Sequence, residues 1–239
     1  MKKSLVFIAA LIICITFTSK AQTLEDVLNN YFKAIGQEKL LTVQSFVTKG
    51  KMIQGGAGIS IIVYNKRPDK LRVEGTFQGT TFIQTYNGKN GWSLNQFIGE
   101  TSPRPATQDE LNSFKDQADI DGIMYNYKEK GCEAELLPAD TVEGQKTFPV
   151  QITKPNGNVY INYIDADNFL ILKTKIRVKV EGVEREVENY FSNYKSVEGM
   201  LFPYSIETKM NGQTVMQMVI NNVKLNAQLS DSLFTLKSE

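Results

Sequence analysis

From Val43 to Leu225 apolar residues recur at every second position, segment after segment, and this period of two is what most restricts the fold. Side chains alternate between the two faces of an extended strand, so each segment carries one apolar and one polar side. The predicted strands are Val43 to Ile53, Ile59 to Asn65, Leu71 to Phe77, Thr81 to Tyr86, Gly91 to Asn95, Cys132 to Leu137, Phe148 to Thr153, Val159 to Ile164, Leu170 to Val180, Glu184 to Tyr194, Phe202 to Met210 and Thr214 to Leu225. Short turn-like separators join them, which indicates successive antiparallel hairpins.

Three turns fix registers that a structure can check. A two-residue turn at Asn156-Gly157 places Ile152 opposite Ile161 and Val150 opposite Tyr163, with Val159 on the same face. A turn at Glu181-Gly182 sets Lys179 against Glu184, Arg177 against Glu186 and Lys175 against Glu188. Three opposite-charge pairs in one register mark a solvent face, and Val178, Ile176, Val187 and Phe191 then share the interior one. A turn at Asn211-Gly212 puts Met216 opposite Glu207 and Met218 opposite Ser205, on a mixed face.

Two segments break the pattern. Leu24, Val27, Leu28, Tyr31, Phe32 and Ile35 form one helical stripe, with Thr23 as cap and Gly36 as left-handed stop. Pro103 and Pro105 end the strand rhythm, and Thr107 with Glu110 makes a capping box that opens a second helix over Thr107 to Ala118. This helix lies in a long crossover between Asn95 and Cys132 that also carries Ile120, Ile123, Met124 and Tyr127. The crossover is either a plug over one open face of the sheet or a connector, and its apolar residues favour the plug.

Composition excludes much chemistry. The 239 residues include no histidine, which removes Ser-His and Cys-His catalysis and every His-containing metal site. Two cysteines make neither a four-cysteine zinc site nor an iron-sulfur cluster. The balance of 27 basic and 26 acidic residues, without basic runs, speaks against a nucleic-acid partner. Lys2 and Lys3, the apolar run from Leu5 to Phe17 and the small residues Ser19 and Ala21 read as a secretory signal cleaved after Ala21. A bilayer span needs about 20 residues, more than this run supplies. Bulky Ile13 beside Cys14 argues against lipidation at that cysteine. Loss of Lys2, Lys3 and Lys20 leaves 24 basic against 26 acidic residues, a net charge of −2. Residues 22–239 then form one exported domain whose single Cys132 alternates with Ala134 and Leu136 as a buried strand residue.

Other motifs are weaker. Gly55-Gly56-Ala57-Gly58 leads into a strand and so reads as a hairpin loop, and Asp165-Ala166-Asp167-Asn168 reads as a turn because Phe169 stands at a calcium-ligand position. Asp119 with Asp121, or Glu133 with Glu135, could be cast as the paired carboxylates of a hydrolase, and nothing sets them apart from surface acids. No catalytic residue, metal or cofactor is expected. A sheet with one long apolar face and two helices to cover it encloses either a cavity or an ordinary sandwich core, and Ile59, Ile61, Val63, Leu71, Val73 and Phe77 fit both.

Several short motifs occur in order along the chain: Tyr31-Phe32-Lys33-Ala34-Ile35-Gly36, Lys66-Arg67-Pro68, Asn87-Gly88-Lys89 followed by Trp92, Asn193-Tyr194-Lys195, Gly199 with Leu201-Phe202-Pro203, and Leu233-Phe234. In this order the chain resembles the LolA-like periplasmic lipoprotein carriers, in the form called outer-membrane lipoprotein-sorting proteins. The resemblance implies a mainly β, α+β fold: a curved antiparallel sheet forming a half-open barrel with a helical lid. It implies a monomeric periplasmic carrier, not an enzyme, that takes the acyl chains of lipoproteins or lipids into a greasy cavity. Exchange partners would be an inner-membrane release complex or an outer-membrane acceptor. By the Lys-Arg-Pro match Arg67 is the lid latch, against a reading as a solvated turn cation, and Arg104 ranks below it. The cavity lining expected from strand parity is Ile61, Val63, Val73, Phe82, Trp92, Val150, Ile152, Ile161, Ile176 and Val178. The alternative is an envelope sensor or scaffold of the same fold that binds a membrane protein through Met216 and Met218.

Overall fold

The computed structural model describes residues 22–180 and 182–236. The predicted signal segment, Cys14 and the cleavage position after Ala21 lie outside the described residues, as does Glu181. Helix α1 is Leu24–Ile35, α2 is Gln37–Leu40 and α3 is Gln108–Ala118. The strands are β1 Ser45–Gln54, β2 Ala57–Lys66, β3 Lys70–Phe77, β4 Thr80–Asn87, β5 Gly91–Asn95, β6 Arg104–Pro105 and β7 Glu133–Leu136. They continue with β8 Asp140–Val142, β9 Gln145–Thr153, β10 Val159–Asp165, β11 Ile171–Val180, β12 Val183–Val197, β13 Met200–Met210 and β14 Gln213–Leu225.

All of them belong to one sheet, in the order β6-β5-β4-β3-β2-β1-β14-β13-β12-β11-β10-β9-β7, with β8 paired to β9. Every pairing is antiparallel. The sheet must curl strongly. Leu111 and Phe114 of α3 press on Gly91 of β5, while Asp116 of the same helix accepts a 2.5 Å hydrogen bond from the Tyr160 hydroxyl on β10. Nine strand spacings separate β5 from β10, about 43 Å along a flat sheet, whereas Leu111 and Asp116 are only about 7.5 Å apart along the helix axis. The helix thus bridges a gap between two sheet margins that curvature has brought together. Both margins are short, β6 with two residues and β7 with four.

Each helix forms where its sequence signals place it. Thr23 and Asp26 complete a capping box at α1, and Gly36 ends it at φ 77°. Thr107 and Glu110 do the same at α3. Val27 and Leu28 of α1 pack with Val150, Ile152 and Ile164, while Phe114 and Ala118 of α3 pack with Ile61, Leu71, Val73 and Tyr86. The face carrying these helices is the inner face. On the outer face a final 3-10 turn, Asp231–Phe234, buries Phe234 completely, and Arg72 donates to the Leu233 carbonyl at 2.9 Å.

The registers divide the expectations. β11 and β12 pair as predicted, Lys179 with Glu184, Arg177 with Glu186 and Lys175 with Glu188, and Arg177 meets Glu186 at 2.9 Å on an exposed surface. The other two are corrected. Thr153 pairs with Val159, so the turn holds five residues, and Ile152 faces Tyr160 while Val150 faces Asn162. Pro155 has no N–H to continue the ladder, which lengthens the turn and slips the register by one. At Asn211-Gly212 a bulge between Thr208 and Lys209 sets Met216 against Thr208 and Met218 against Ile206. Met218 accordingly packs inward against the cluster around Ile61 and Val73.

Gly36 is the tightest joint between helix and sheet. A Cβ there would sit 2.7 Å from the Gly199 carbonyl oxygen, at a φ that L side chains rarely adopt. Gly36→Ala is expected to lower unfolding stability by about 1–3 kcal/mol, read from urea denaturation, with an unchanged m-value.

Candidate functional site

The inner face is where chemistry can be sought, and its strand parities locate the expected lining. Ile61, Val73, Val150 and Ile152 do face inward but are buried beneath the helices, the last two completely. Val63, Phe82, Ile176 and Val178 face inward and are partly exposed. Trp92 and Ile161 are corrections. Trp92 pairs with Thr85, on the side of β5 opposite to Gly91 and Ser93, so it lies on the outer face. Ile161 pairs with Gln151 and packs with Val142 and Tyr163, also outside, because of the slipped register at Pro155.

Between α1, the Asp121-Gly122 bend and β13 lies a recess of about 230 Å³, walled by Tyr31, Ile35, Ile120, Phe191, Tyr194 and Phe202 among others. Small-molecule sites run to about 300–1,000 Å³, so this recess takes only part of a long chain. Burial raises the Tyr31 and Tyr194 hydroxyls above the usual phenol range, so these two stay neutral, and Asp121 is the charged group at the recess. A longer groove of about 730 Å³ runs between α1 and residues 124–129, lined by Leu24, Leu28, Phe32, Met124 and Tyr127 among others. On the outer face a polar hollow of about 440 Å³ includes Tyr190, Ser205, Glu207 and Gln217.

The Asp121 bend carries the clearest polar constellation. Arg67, just beyond β2, donates from Nη1 to Asp121 Oδ2 at 2.9 Å and from Nη2 to Asp121 Oδ1 at 2.5 Å. Its remaining donors reach the Val43 carbonyl at 2.7 Å and the Leu40 carbonyl at 3.1 Å. One guanidinium therefore ties the end of α2, the start of β1 and the crossover together in a bidentate fork. Hydrogen bonding to Asp121, with burial opposing it, holds the Arg67 pKa above the ordinary arginine value. Gln37 adds a bond from Nε2 to the Asp121 carbonyl at 3.3 Å.

A second tether acts in the last turn of α3. Asp116 receives the Tyr160 hydroxyl and forms an ion pair with Lys154. The Tyr160 pKa is raised first by burial and then by this carboxylate. Asp119 is engaged by Lys130 at 2.5 Å. The carboxylates weighed for hydrolysis thus divide into Asp119 and Asp121, both bound by cations, and Glu133 and Glu135, exposed on the margin strand β7. Arg104 does not reach the recess. It joins Glu100 at 2.8 Å and Glu110 at 2.7 Å and so braces the start of α3.

Asp116, Lys154 and Tyr160 are the functional candidates that sequence reasoning missed. The available signal was an acid on the third turn of α3 together with a lysine interrupting the apolar face beside Pro155.

Two outcomes test this description. In a double-mutant cycle of Arg67→Met and Asp121→Asn, a coupling of about 1–3 kcal/mol in unfolding free energy is expected, since each single change strands a half-buried partner. For Glu110→Gln, which keeps the cap geometry, the loss is about 1 kcal/mol at neutral pH. Arg104 lowers the folded Glu110 pKa, so this contribution is complete above the unfolded glutamate value and disappears as pH falls through the folded one. Chemical denaturation between pH 7 and pH 3 checks the sign.

No family model matches the chain, and no curated protein matches it in sequence. Solved structures do. A LolA superfamily protein of Nitrosomonas europaea aligns with TM-score 0.61 at 14% identity, covering 89% of this chain and 97% of that one. A DUF1329 family protein of Desulfovibrio piger aligns with TM-score 0.57 at 14% identity over 87% and 97%. An outer membrane lipoprotein-sorting protein domain of Vibrio parahaemolyticus gives 0.56 at 12% identity over 84% and 95%. The fold of this chain, a curled antiparallel sheet left open between its margins and bridged by a helix, is therefore the LolA-like fold.

Proposed function

We propose that the protein is an exported, periplasmic carrier that holds the acyl chains of a lipoprotein or lipid against its inner face, with α3 and its following bend as a lid. The observation that carries this reading is the way the lid is fastened. Arg67 to Asp121, and Lys154 with Tyr160 to Asp116, are polar ties five residues apart at its C-terminal end, while the sheet beneath α3 offers Ile61 and Val73 and the inner face continues under α1 with Val150 and Ile152. Releasing a few hydrogen bonds would uncover the oily patch of Ile61, Leu71 and Val73, which adjoins the partly exposed Val63 and Phe82.

The energies suit a carrier. A chain of about 16 carbons carries roughly 12 kcal/mol of gross hydrophobic driving force and does not cross water unaided. A lid with two states separated by a few kcal/mol lets a partner that prefers the open one loosen the cargo. No covalent step is required of such a carrier. The sensor reading loses its motive, since Met218 packs inward and Met216 lies on the same inner parity.

Uptake of a fluorescent fatty-acid analogue by the purified protein is expected, with release about five- to thirtyfold faster from Arg67→Leu, the equivalent of a tie worth 1–2 kcal/mol. Stopped-flow dilution into lipid vesicles reads the rate. No uptake by the wild-type protein would overturn the carrier reading, and an unchanged release rate would remove Arg67 as the latch.

A further inference from the structure

We propose that a polar row crossing the inner face, Asn162, Thr174, Asn189 and Thr208, seats the carbonyl oxygens of the cargo, so that the protein takes esters or amides of fatty acids in preference to plain alkyl chains. This rests on the carrier reading above. The four residues are consecutive cross-strand partners on β10, β11, β12 and β13, so they form one line perpendicular to the strands. Along β10 to β12 the neighbouring inward row is Tyr160, Ile176 and Val187, and on the other side stand Phe191 and Ile206. The line is thus a polar stripe between two apolar rows, and Arg185, opposite Val178, is the next polar side chain on that face of β12.

Such a stripe is costly unless it is used. Asn162 is 4% exposed, Thr174 7% and Thr208 8%. Buried amides and hydroxyls destabilise a fold unless they find partners. Two bonds satisfy part of the row: Thr174 donates to Asn162 Oδ1 at 2.9 Å, and Thr208 donates to Asn189 Oδ1 at 2.9 Å. Both hydroxyl protons are spent on amide oxygens, so the donors the row has left are on the amide nitrogens. Asn162 Nδ2 is fully buried and has no partner among the described residues.

A buried donor flanked by oily rows selects a neutral acceptor on an oily molecule. An ester or amide carbonyl meets this need. A free carboxylate does so poorly, because the row supplies no cation to offset its desolvation. The position is also apt. On β12 the next inward residue after Asn189 is Phe191, and on β10 the next after Asn162 is Ile164, which pairs with Ile171. Phe191 and Ile171 both line the 230 Å³ recess, so a chain whose carbonyl rests on the row can continue into it.

The test compares two lipids matched in chain length, dipalmitoylglycerol and its dihexadecyl ether analogue, each displacing diphenylhexatriene, a probe without a carbonyl. The ester is expected to displace the probe at about tenfold lower concentration than the ether. In Asn162→Leu, and independently in Asn189→Leu should the first variant fold poorly, the ratio is expected to fall to about one while the ether retains its affinity. A row that serves folding alone would leave both lipids equal in the wild-type protein, and that result overturns the inference while the carrier reading stands. A ratio that persists in both variants overturns it as well. Displacement by neither lipid would instead defeat the carrier reading itself.

Discussion

The structure depends on one geometric constraint: a long antiparallel sheet curls until its margins nearly meet, and something other than strand pairing must then hold them. A closed barrel would do this with backbone hydrogen bonds. Here α3 does it with side chains, Leu111 and Phe114 seated on Gly91 at one margin and Asp116 held by Tyr160 and Lys154 near the other. Backbone pairing is cooperative and hard to undo locally. A helix held by one carboxylate, a guanidinium fork and an apolar patch is a separable unit, so the architecture allows the gap to widen without unravelling the sheet.

That separation explains where polar residues occur. Arg67 is placed to join three pieces of chain that converge at the end of β2, and its planar fork matches the Asp121 carboxylate in a way a lysine would not. The inner wall has a different composition, apolar rows interrupted by the line from Asn162 to Thr208. Both are departures from a simple oily core, and departures of that kind are expected where a protein handles a ligand.

Much of the architecture was legible because the alternation is strong and the turns are short. The charge pairs of β11 and β12 were read correctly because two residues suffice to reverse that hairpin. The failures have local causes. Pro155 cannot donate to a ladder, and the bulge between Thr208 and Lys209 falls where no glycine or proline marks it. Strand parity alone leaves the choice of face open on a five-residue strand, and the inward expectation for Trp92 took the wrong one. A helix that approaches a sheet closely needs small residues beneath it, however, and Gly91 and Ser93 supply that surface while Trp92 takes the other side. Arg67 was recognisable from its motif, but Asp116 and Asp121 gain meaning only from what the fold brings to them, Tyr160 and Lys154 for the one and Arg67 for the other.

The truncated margins have a further consequence. A sheet that does not close exposes two rows of unpaired backbone groups, the usual template for intermolecular polymerisation. Here one margin is only Arg104 and Pro105, with a proline that has no N–H to offer, and the other is split into the short strands β7, which bears Glu133 and Glu135, and β8. Neighbouring molecules thus find little to zip onto, and an incomplete barrel is kept from extending its sheet into the next copy.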